Sequence, residues 1–173
     1  MRVLLVVFLT SVLITSCRGT EVKPLSLLTV EQRALPPHIT IVSWNVHKQR
    51  NARLQTDLHA LLRQQRPTLV FLQEATAELL DATLMPGHFA PSWQYPLREG
   101  TATGVLTFSQ VAPVGSEGIP TRWREFFLAT PKVALATEYL LPDGARLLAV
   151  NVHCLNFERW GTLKLRSQLT VLK

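Results

Sequence analysis

Two short apolar runs, each ending in a polar signal, constrain this chain most. Ile39-Thr40-Ile41-Val42 leads into Ser43-Trp44-Asn45-Val46, and Thr68-Leu69-Val70-Phe71-Leu72 leads into Gln73-Glu74-Ala75. Both runs read as buried strands bounded by polar residues. Between them, Ala52 to Gln65 carries Leu54, Leu58, Leu61 and Leu62, the i, i+4, i+7, i+8 stripe of an amphipathic helix, and Pro67 ends it. A strand–helix–strand unit leaves its two strands parallel. Asn45 and Glu74 then emerge at one carboxyl edge of a sheet, where ligands bind in such architectures. A carboxylate beside an amide oxygen suits a hard, oxygen-seeking cation such as Mg²⁺.

The rest of the chain extends this unit into a mixed α/β order. Residues 39–46 and 68–74 are the first two expected strands, and Ala75 to Leu84 reads as a short helix with Leu79, Leu80 and Leu84 inward. The stretch 85–101, rich in Pro and Gly, reads as a loop, and 104–109 as a strand. Residues 111–125 read as irregular. A hairpin is expected from Lys132–Leu140 and Arg146–His153, joined at Leu141-Pro142-Asp143-Gly144. Thr162 to Lys173 reads as a helix, with Leu165, Leu169 and Leu172 on one face.

Four segments in this order resemble a known family. Trp44-Asn45 and Gln73-Glu74 are similar to the first two motifs of the endonuclease/exonuclease/phosphatase superfamily, which includes DNase I and bacterial sphingomyelinases. Thr103-Gly104-Val105-Leu106-Thr107-Phe108-Ser109 is similar to a strand of that family, and Val150-Asn151-Val152-His153 to its Asn-x-His signature. The resemblance covers roughly residues 38–173. It implies a mixed α/β (α+β) fold, part of a four-layer α/β sandwich of the DNase I type, with the C-terminal part missing. The family's later Gly-Asp-x-Asn and Ser-Asp-His motifs have no counterpart, since Asp57, Asp81 and Asp143 stand in neither context.

By this resemblance Glu74 binds a divalent metal, Mg²⁺ or Mn²⁺, with Asn45 beside it as a second ligand or as a contact to the scissile phosphate. His153 stabilises the transition state or protonates the leaving oxygen. Asn151 holds the site in shape or contacts the phosphate. The implied activity is metal-dependent phosphoester hydrolysis, with nucleic acid and phospholipid both open as substrates. A catalytically inactive truncated lipoprotein or binding module is the alternative. Arg122-Trp123-Arg124 reads as either a grip for a polyanion or a solvated loop. His38 and His47 flank the first strand and are assigned no role, with His47-Lys48 a candidate approach to phosphate.

The first residues form a separate unit. Arg2 precedes an apolar run from Val3 to Thr15, too short to span a bilayer and the length of a secretory core segment. Ile14-Thr15-Ser16-Cys17 resembles a bacterial lipobox, which makes 1–16 a signal peptide and Cys17 the lipidated residue. Residues 17–37 then form a tether to the domain at 38–173. Arg18 after the cysteine implies an outer-membrane lipoprotein facing the periplasm; a secreted or periplasmic protein is the alternative. No protein partner is indicated. Loss of residues 1–16 removes only Arg2 and lowers the formal charge from +6 to +5, a spread of charge that selects no partner. It also leaves Cys154 as the one thiol besides Cys17. Cys154 reads as a small buried apolar residue, because its neighbour His153 points to the opposite face of a strand.

Overall fold

A computed structural model describes residues 23–25, 33–47, 51–80, 85–92, 102–124 and 131–154. The expected signal peptide and lipidated Cys17, and the helix expected at 162–173, lie outside the described residues. Among the described residues, eight strands form two sheets. The first, of five strands, runs in the order β1 (Lys23–Leu25), β4 (Gly87–Pro91), β5 (Thr103–Ser109), β3 (Leu69–Thr76), β2 (Ile41–Asn45). The second has the order β6 (Gly115–Arg124), β7 (Pro131–Leu140), β8 (Arg146–Val152). The helix α1 covers Leu54–Gln65.

The strand–helix–strand unit forms as its sequence dictates. β2 and β3 pair in parallel, with Asn45 opposite Gln73, and Val46 N continues the ladder to Gln73 O at 2.9 Å. Asn51 prepares the entry to α1 by accepting Arg53 N through its side chain and Leu54 N through its carbonyl. Arg66 ends the helix in the left-handed conformation (φ 43°), and Pro67 prevents its continuation. Leu54 and Leu58 are buried against Val70, Leu72, Phe89, Leu106 and Phe108 of the first sheet. The opposite face of that sheet packs on the second sheet. Leu69 joins Leu35, Tyr139 and Ala149 there, and Ala90 and Val105 meet Val133 and Leu135. Burial pushes the Tyr139 phenol above its usual range, against the pull of the Ser109 and Thr137 hydroxyls.

The β7–β8 hairpin lies where it was expected. Gly144 takes φ 83° in its turn, and Asp143 Oδ1 accepts Ala145 N. Four expectations need correction. The loop expected at 85–101 contains β4, which pairs with β5 and β1 despite the flanking Pro86 and Pro91. The irregular stretch at 111–125 contains β6, whose Gly and Pro residues are tolerated because it is an edge strand. The helix expected from Ala75 does not begin there, because β3 runs on to Thr76, and Ala77–Leu80 form a 3₁₀ turn. The stretch read as a tether contributes β1, paired with β4, and Leu35, which is buried and donates its N–H to Leu140 O. Gly104 is required by close approach, since a Cβ there would collide with the Ala90 carbonyl oxygen.

Candidate active site

Glu74 owes its position to a defect in β3. Gln73 opposes Val105 and Ala75 opposes Gly104, so Glu74 is one residue more than β5 can pair. Such a bulge re-aims a side chain and shifts the inside–outside alternation. Gln73, before the bulge, faces the second sheet by ordinary alternation with Leu69 and Phe71, whereas Ala75, after it, is switched to the core under α1. Glu74 takes φ 54°, the left-handed region, at a cost of about 1–3 kcal/mol for a residue with a Cβ. The strain turns its carboxylate out of the ladder toward the carboxyl end of the parallel pair.

Three of the residues singled out in the sequence meet there. Asn45 ends β2, and its Nδ2 donates to Glu74 Oε1 at 3.3 Å. Its Oδ1 accepts the His47 backbone N–H at 2.9 Å, a local turn that fixes the amide. His153 follows β8 of the other sheet, and its Nε2 lies 3.4 Å from the same Glu74 oxygen. The His153 side chain is 8% exposed and that of Glu74 17%, so both stand at a protected rim with an opening to solvent. An acid, an imidazole and an amide thus converge on one point from three strand ends and two sheets.

Asn151, the fourth, lies elsewhere. It is buried between the sheets and accepts a 2.8 Å hydrogen bond from Gln73 Nε2. Gln73 had no role assigned from the sequence. Only its place beside Glu74 marked it, and its partner is 78 residues away. Cys154 is half-buried. Arg122, Trp123 and Arg124 fall in the last part of β6.

The donor set fits a hard divalent cation in one respect. Glu74 offers a carboxylate at a partly open rim, the ligand type that Mg²⁺ and Mn²⁺ prefer. Asn45 turns its nitrogen to Glu74 and its Oδ1 to the His47 N–H, which leaves that oxygen one further lone pair for a cation. Among the described residues no group of three or more His, Cys, Asp and Glu side chains gathers to hold a metal by itself.

Solved structures share this architecture. The human Nocturnin catalytic domain with bound sulfate anion superposes with a TM-score of 0.57 at 19% identity, over 91% of this chain and 63% of that one. An endonuclease/exonuclease/phosphatase from Beutenbergia cavernae gives 0.62 at 16% identity, over 78% and 43%. D. rerio TDP2 complexed with single-strand DNA product gives 0.56 at 19% identity, over 78% and 52%. At these identities the likeness is one of fold, and the chain spans about half the length of these structures. Residues 42–157, which include nearly all of the parallel unit, the bulge and the β7–β8 hairpin, match the model of the Endonuclease/Exonuclease/phosphatase family, and the chain belongs to that family.

Proposed function

We propose that this chain carries part of the active site of a metal-dependent phosphoester hydrolase. The observation that carries the reading is the meeting of Asn45 and His153 on one oxygen of Glu74, from opposite sheets. Family membership and the structural neighbours support phosphoester hydrolysis in general: one neighbour holds a sulfate, an analogue of phosphate, and another a DNA product.

Glu74 is the residue that would hold a divalent cation, Mg²⁺ or Mn²⁺. Such an ion supplies polarisation of a phosphoryl oxygen and charge stabilisation as phosphorus is attacked. Asn45 Nδ2 is placed to donate to a phosphate oxygen, sharing that role with its bond to Glu74. His153, held by Glu74, presents an imidazole that can donate a proton to the leaving oxygen or a hydrogen bond to the developing charge. The partial burial of both side chains limits water and strengthens these interactions. The substrate class, nucleic acid or phospholipid, belongs to the same proposal, as do lipidation at Cys17 and an envelope location. Metabolic labelling with a fatty acid, lost in Cys17→Ser, tests the anchor.

The decisive experiment is calorimetric titration of the chain with Mn²⁺, beside hydrolysis of bis(p-nitrophenyl) phosphate by the full-length gene product. Saturable binding that Glu74→Ala abolishes, with a fall in kcat of about 10²-fold or more, is the expected result. Hydrolysis unchanged in Glu74→Ala overturns the assignment. Absence of both binding and turnover in the wild type turns the reading to an inactive binding module.

A further inference from the structure

Behind the meeting point of Glu74 and His153 lies a pair of amides with no part in the chemistry above. Gln73 immediately precedes Glu74, and Asn151 stands two residues before His153. Gln73 Nε2 donates to Asn151 Oδ1 at 2.8 Å and to Ser43 Oγ at 3.2 Å. Ser43 in turn stands two residues before Asn45. One amide nitrogen therefore links β2, β3 and β8, the three strands whose ends carry Asn45, Glu74 and His153.

Asn151 anchors this link in the first sheet. It is 1% exposed, and its Nδ2 donates to Leu106 O at 3.0 Å, to Leu72 O at 3.3 Å and to Thr107 Oγ1 at 3.4 Å. A side chain of the second sheet is thus fastened to the backbone of β3 and β5, with both its oxygen and its nitrogen engaged. Apolar packing between sheets has little directional preference. A buried hydrogen bond does have one, and its loss leaves a polar group stranded. An apolar pair of the same shape would pack as well. What the amides add is a fixed offset between the sheets at the level of the site.

We propose that Gln73 is a positioning residue. Its amide, shared between Asn151 and Ser43, sets the alignment of β2, β3 and β8 and so the approach of His153 and Asn45 to Glu74. The catalytic consequence rests on the hydrolase reading; the geometric one does not. Displacements of about 1 Å at a reacting centre cost on the order of 10²-fold in rate.

The test uses Gln73→Met, close in shape but without a donor, in the full chain. Nuclear Overhauser contacts between the His153 ring and the Glu74 side chain read the geometry with no turnover. They are expected to disappear while thermal unfolding stays cooperative; contacts of wild-type strength overturn the proposal. Should Gln73→Met not fold, Gln73→Asn withdraws the donor by one methylene and is judged by the same contacts. In the active protein, Gln73→Met is expected to lower kcat about 10–100-fold with little change in KM. The same substitution in a His153→Ala background is expected to add almost nothing, because residues that act as a unit lose their effect together. An equal loss in both backgrounds overturns the positioning role. If wild type and Glu74→Ala hydrolyse alike, the hydrolase reading falls and the Overhauser contacts still decide the role of Gln73.

Discussion

The two faces of the five-stranded sheet are built on different rules. Toward α1 the sheet presents Val70, Leu72, Phe89, Leu106 and Phe108, an unbroken apolar surface. Toward the second sheet the same strands present Leu69, Phe71 and Val105 interleaved with Gln73, Thr107 and Ser109. These three polar side chains are hydrogen-bonded: Ser109 Oγ donates to Val111 O at 2.6 Å, Gln73 Nε2 donates to Asn151 Oδ1, and Thr107 Oγ1 lies within the amide network. The first face supplies cohesion without address, whereas the second gives up some apolar area for direction. The candidate active site sits at the end of the second face, where direction matters.

Substitution separates the two kinds of face. Phe108→Ala, on the helix face, is expected to cost about 4 kcal/mol in chemical unfolding, the loss of a fully buried ring together with the cavity left behind. The folded fraction should keep the Glu74–His153 contact. Asn151→Leu, between the sheets, is expected to cost only about 2 kcal/mol, because shape is kept while the Gln73 amide loses its acceptor. That contact should nevertheless be lost. If the two variants affect the site alike, the distinction between faces is wrong.

At the bulge the effects are smaller and reverse the usual ranking. Glu74→Gly is expected to be more stable than Glu74→Ala by about 1 kcal/mol in urea melts, since glycine adopts φ > 0 without strain. Both should lack the carboxylate's function. Equal stability would show that the left-handed backbone at Glu74 carries no strain.

The smallest expected effect concerns His88, on the inter-sheet side of β4. Burial lowers its imidazole below the ordinary value of 6.5, and Nδ1 is buried without a hydrogen-bond partner among the described residues. The native protein therefore holds His88 neutral where the unfolded chain would protonate it. As pH falls through about 6.5 toward the lowered native value, the unfolded state binds more protons and stability is lost. The urea midpoint should drop between about pH 7 and about pH 5, and less steeply in His88→Gln. Parallel slopes would exclude His88 as the source.

What sequence reasoning reaches follows the same division. The strand ends at Asn45 and Glu74, α1 and the β7–β8 hairpin are legible because local pattern and turn chemistry agree with the fold. β4 and β6 are not, since Gly87, Pro91, Gly115, Gly118 and Pro120 read as breakers and only pairing with neighbouring strands overrides them. The bulge at Glu74 is equally silent, because a left-handed glutamate has no signature in composition. Gln73 is the sharpest case. It stands in the Gln73-Glu74 motif, yet its own bond depends on a residue 78 positions away that only tertiary structure delivers.

That separation bears on how the molecule comes into being. The bond from Gln73 to Asn151 closes a long loop, and long-range closures are entropically costly and form slowly. The parallel unit alone can bring Asn45 to Glu74, but His153 arrives only once the β7–β8 hairpin has been made and docked. A ribosome-bound or half-folded chain would hold a carboxylate and an amide together with no imidazole. On the proposed function, such a chain would have no competent hydrolase until its two sheets had closed on each other.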